Sequence, residues 1–267
     1  MANFLRLKKT FSNSQLFLLI MFALTLWGVI SLQNQELRLS NRSKQMDDFF
    51  AGQESQKQSL SLSRRLPSVG FNNIVADWIY LNFIQYFGDT LIREKKGYEL
   101  CPDYFKSLIK KDPAFVDAVL ILDICTSVFD GQPLKSLDNL LISVNSMNPH
   151  MISINTRPYY VWKALGTGQL LFTDDPLKTV QSYRQAIDWA KVYSDEPAQR
   201  FIQNLSSSIE FLSKNPDSKL ARIGAWANIL GTNPDKKTLT RVIKEIELLG
   251  GKVETTGEGR FSVKLRE

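Results

Sequence analysis

Two proline breaks, Asp112-Pro113 and Asn148-Pro149, stand 36 residues apart in a chain that otherwise reads as helix after helix. Proline removes a backbone donor and pushes the residue before it out of the helical region, so each pair marks a helix boundary. YFKSLIKKDPAFVDAVLILDICTSVF (104 to 129) therefore reads as two helices hinged at Asp112-Pro113, with Phe115, Ala118, Leu122 and Cys125 on one face of the second. PLKSLDNLLISVNSMNP (133 to 149) and PYYVWKALGTGQLLF (158 to 172) form the next pair, and residues 174 to 217 a third. The spacing lies close to the tetratricopeptide period of about 34 residues. Ala118, Ala164, Gly166, Ala186 and Ala190 supply the small side chains that closely stacked helices need. The expectation is a tetratricopeptide-like helical domain over 67–235.

The tail departs from this pattern. Leu239, Val242, Ile243, Ile246 and Leu249 share one helical face and end at Gly250-Gly251. Val253, Thr255, Phe261, Val263 and Leu265 then alternate around a glycine turn, predicting a helix plus β-hairpin cap over 236–267.

At the other end, LFLLIMFALTLWGVISL (16 to 32) is seventeen residues without a charge or an amide. At 1.5 Å per residue it would rise about 26 Å, near the thickness of a hydrocarbon core. A basic tail (1–15) precedes it, and no small-x-small cleavage pair follows it, so an uncleaved signal-anchor is favoured over a signal peptide. The reading is a single-pass protein whose soluble domain lies outside the cytoplasm, held by the lipid bilayer through residues 16 to 32. Residues 33–66, with six Ser and six Gln, read as a polar stalk.

Phe71 to Phe87 is a further problem: twelve of these seventeen residues are apolar and six are aromatic, with Asp77 among them. The apolar residues go right round a helical wheel, which predicts a core helix with Asp77 and Trp78 inside rather than a second span. Phe71, Trp78, Tyr80, Phe83 and Phe87 are then core, or the wall of a site for a small apolar ligand such as a pigment or lipid.

Charge narrows the partners. Of a net +6, residues 1 to 66 carry nine Lys/Arg against four acids, or +5, leaving +1 for the other 201 residues. A domain so nearly balanced has no footprint for nucleic acid. Cys101 and Cys125 read as unpaired, and the lone His150 has no nucleophile elbow near it. No pattern for a metal, a cofactor or a catalytic set is present, so a non-enzymatic role is expected. Arg157, Tyr159, Tyr160, Trp162 and Lys163 are the candidate partner-binding residues, because Tyr, Trp and Arg carry most interface hot spots.

Several stretches, LPSVGFNNIVADWIYLNFIQYFGD, CPDYFKSLIKKDPAFVDA, YYVWKALG, DWAKVYSDE, FLSKNPDS and IELLGGKV, together resemble a family of uncharacterised cyanobacterial membrane-anchored tetratricopeptide-like proteins. Helix-pair arrays present a groove to a partner segment and a tether concentrates it at the membrane, so a membrane-tethered scaffold or assembly factor for a membrane protein complex is expected. The resemblance implies a plasma or thylakoid membrane home and, by analogy alone, a photosynthetic complex. It brings no catalytic residue.

Overall fold

Aspartate and proline set the helix starts. Asp175, Asp195 and Asp235 each accept a hydrogen bond from a backbone N–H of the first turn that follows them, and Pro176 and Pro197 occupy positions whose missing donor costs nothing. The computed structural model describes residues 13–42, 46–65, 67–89, 97–153, 155–215, 217–232, 234–255 and 261–265. The chain divides into two units, Met1–Gln56 and Lys57–Glu267.

In the first unit α1 (Asn13–Arg42) carries exposed apolar side chains, among them Phe22 and Trp27. Among the described residues no helix is long and apolar enough to cross a membrane. The side chains of Leu16, Leu19 and Leu32 lie outside the described residues. With no such helix among the described residues, the single-pass anchor drawn from residues 16 to 32, and the plasma or thylakoid placement that the resemblance implies, are corrected. The stretch read as a polar stalk is largely helical, since α1 runs on to Arg42 and α2 spans Met46–Arg65. From Lys57 on, α2 belongs to the second unit: Leu60 and Ser63 are buried, and Arg64 pairs with Asp103 at 3.1 Å.

The second unit is built from helices that pack mainly on their chain neighbours. They are α3 (Asn72–Gly88), α4 (Cys101–Lys111), α5 (Val116–Ile124), a π-helix (Cys125–Phe129), α6 (Pro133–Ser146), α7 (Tyr159–Phe172), α8 (Pro176–Ala190), α9 (Glu196–Lys214), α10 (Lys219–Leu230) and α11 (Lys236–Leu248). Strands β1 (Gly251–Thr255) and β2 (Phe261–Leu265) close the chain as an antiparallel hairpin, with Val253 opposite Val263. A mostly helical unit with a small C-terminal hairpin is thus observed. Three apolar cores follow in series: one from α2 to α7, one from α7 to α9, and one shared by the end of α7, α10, α11 and the hairpin. Close contact between α7 and α8 depends on Gly166, where a Cβ would stand 2.6 Å from the Tyr183 ring.

Two expectations fail inside this unit. Helix α3 is not buried on all sides: Ala76, Ile79, Phe83 and Tyr86, at spacings of 3, 4 and 3, form its one buried stripe. Phe71, Ile74, Trp78 and Leu81 repeat the same spacing on an exposed face, with Trp78 49% exposed, and Asp77 is exposed too. Only one face of α3 meets a neighbour within the unit, so its apolar residues outnumber the contacts available to them. The second failure is the cysteine pair. Cys101, at the start of α4, and Cys125, the first residue of the π-helix, meet in the core with Cα atoms 5.7 Å apart and form a disulfide.

Candidate functional site

Stacked helices leave a groove wherever two of them diverge above a third. Here α7 is the floor, and the end of α5 with the π-helix, α9 and α10 form the walls. The open groove has a volume of about 830 Å³ and is lined by apolar groups that include Ile124, Phe172, Phe211 and Ile229. Hydroxyls and an amide (Thr167, Ser207, Ser208, Asn228) stand among them. The π-helix contributes Ser127, Val128 and Phe129, and such segments, with one extra residue per turn, recur at functional sites. Its last turn is held from outside, because Arg241 of α11 donates to the Val128 and Phe129 carbonyls.

Among the described residues Asp123 is the one carboxylate in this lining. Ser136 Oγ donates to its Oδ1 at 2.7 Å, and Ser127 Oγ to its backbone oxygen at 2.8 Å. Burial raises its pKa to about 6, and hydrogen bonds from Ser136 and Ser127 offset part of that rise. Ser136 engages one carboxylate oxygen, and the other titratable side chains of the described lining are Tyr160, Lys163 and Tyr183.

A smaller cavity of about 420 Å³ adjoins the groove and shares Tyr160, Lys163, Leu205 and Ser208 with it. Lys163 and Arg200 are its charged lining residues, and no carboxylate lines it among the described residues. Lys163 is exposed and has no hydrogen bond or ion pair among the described residues. Arg200 reaches Glu196 at 3.6 Å with both side chains largely in water, a pairing of little strength.

The five candidate partner-binding residues divide between core and groove. Tyr160 and Lys163 line both cavities. Tyr159 is buried against Tyr160 and Phe201, and half-buried Trp162 packs edge-on against Trp189. Arg157 pairs with Asp195 and lies 4.3 Å over the Tyr193 ring, so it clamps the start of α7 to that of α9. The hydrogen bond raises the Arg157 pKa and lowers that of Asp195. Of the aromatic set on α3, Phe71 is 63% exposed, Trp78 is exposed, Tyr80 and Phe87 are half-buried, and Phe83 is core. None of the five lines either cavity.

Sequence reading missed Ile124, Phe172, Phe211 and Ile229, whose proximity arises only in the fold. Asp123 did carry a signal, as a lone acid inside the apolar run VLILDICTSVF. His150 is exposed, its backbone N–H bonded to Asn148 Oδ1 at a turn.

Comparison with family models, with curated proteins and with solved structures gives no match. The lineage resemblance therefore rests on the quoted stretches alone.

Proposed function

We propose that this chain is a non-enzymatic interaction scaffold whose tetratricopeptide-like array holds a helical segment of a protein partner in the groove over α7. The observation that carries the reading is the groove itself: open, largely apolar, with a few polar side chains among the apolar ones, and walled by helices from successive pairs. An amphipathic helix matches such a surface, because its apolar stripe fills the floor while its polar flanks reach the rim. The Asp123 carboxylate, engaged by its serine, supports a binding role over a chemical one.

A second reading, a carrier of a small apolar ligand, is favoured by one specific quantity. A volume of about 830 Å³ falls within the range of small-molecule sites, about 300 to 1,000 Å³. That ligand would lie over α7, not against Phe71 and Trp78.

Ile124→Glu and Phe211→Glu test the site. Their side chains are 49% and 42% exposed, so a charge there is solvated in the free protein and buried only in a complex. Both variants should melt within a few degrees of the parent and lose a co-purifying protein. Native mass spectrometry of the parent separates the readings: a bound small molecule lost in the variants, with no protein lost, would replace the scaffold by the carrier.

A further inference from the structure

We infer that the segment bound in the groove carries an acidic residue at one end, received by Lys163 and Arg200. This inference rests on the groove reading and adds the partner's chemistry to it. The groove is asymmetric along its length. Ile124, Phe172 and Ile229 line the groove alone, Tyr160, Lys163, Leu205 and Ser208 are shared with the smaller cavity, and that cavity adds Arg200, Asn204 and the apolar Phe201.

Charge decides what fits the polar end. Two cations line the smaller cavity and no carboxylate faces them from its described lining. Among the described residues Glu196 is the one acid paired with either, and it reaches Arg200 from the previous turn of α9 at 3.6 Å with both side chains largely in water. The nearest acid of the larger groove, Asp123, accepts from Ser136 and leaves Lys163 without an ion-pair partner among the described residues. An unpaired ammonium beside an apolar floor favours an anion on the occupant, because a charge-assisted bond gains strength where the partner's apolar body excludes water. A basic residue at the same place would meet two like charges. Tyr160, whose ring lines both cavities, is suited to pack beside the arriving side chain.

The test is a selection. A phage-displayed library of random 16-residue peptides is panned on the immobilised full chain. The same library is panned on a Lys163→Glu/Arg200→Glu variant and on Ile124→Glu. Enriched peptides on the parent should share apolar residues at i, i+3 or i+4, and i+7, with Asp or Glu concentrated at one end. On the double charge variant that acidic preference should vanish or turn to Lys and Arg. A synthetic copy of the best peptide should bind Lys163→Ala about tenfold more weakly than the parent, and Lys163→Arg within about twofold of it. Enriched peptides that lose binding to Ile124→Glu yet show no acidic preference would overturn this inference and leave the groove reading standing. A selection whose peptides bind Ile124→Glu as well as the parent would overturn both.

Discussion

Asp123 is the residue at which the energetics of the groove can be read most directly. A carboxyl whose folded pKa is raised to about 6 from an ordinary 3.8 is favoured in its neutral form. It contributes stability in full below about pH 4 and loses that contribution as pH rises through about 6. Asp123→Asn keeps an acceptor for Ser136 and removes the charge. The variant should therefore be more stable than the parent by about 2 kcal/mol at pH 7.5. The gain should shrink steadily as pH falls from 6 towards 4. Urea titrations of both proteins across that range decide it, and a gain independent of pH would show that burial does not raise the carboxyl's pKa.

Among the helices, α3 shows how much of the fold was legible in the residues and where legibility stopped. Breaks such as Asp112-Pro113 and Asn148-Pro149 were readable because their chemistry is local. Asp112 Oδ1 accepts from the Ala114 N–H at 2.9 Å, and Asn148 Oδ1 from that of His150 at 3.0 Å, so each pair builds its own turn. The hairpin was readable from the alternation of Val253, Phe261 and Val263. The burial of α3 was not, since Ala76, Ile79, Phe83 and Tyr86 have the same spacing as the exposed Phe71, Ile74, Trp78 and Leu81. Two stripes of equal apolarity leave the choice to the neighbours, which periodicity cannot name. The Cys101–Cys125 pairing was hidden for a related reason, because a separation of 24 residues shows nothing until α4 and α5 fold back on each other. Candidate site residues fared likewise: Tyr160 and Lys163 reach the groove, whereas Arg157, Tyr159 and Trp162 are taken up by packing. Paired truncations measure the two stripes. Phe83→Ala should cost about 3 to 5 kcal/mol, as a fully buried ring leaves a cavity. Trp78→Ala should cost less than about 1 kcal/mol, in keeping with a half-exposed position. Equal costs would mean that α3 is packed on both faces.

At the scale of the whole molecule, the second unit behaves as three cores in series, with the groove lying where α5, α7, α9 and α10 converge. On the proposed reading, that arrangement supplies the partner surface. It also leaves a rival surface, the exposed apolar stripe of α3. The most direct measurement places a photo-reactive benzoylphenylalanine at Phe211 in the groove or at Trp78 on α3 and crosslinks the full chain to its bound protein. The account predicts an adduct from position 211 that Ile124→Glu abolishes, and none from position 78. An adduct from position 78 alone, or one from position 211 that survives Ile124→Glu, would contradict it.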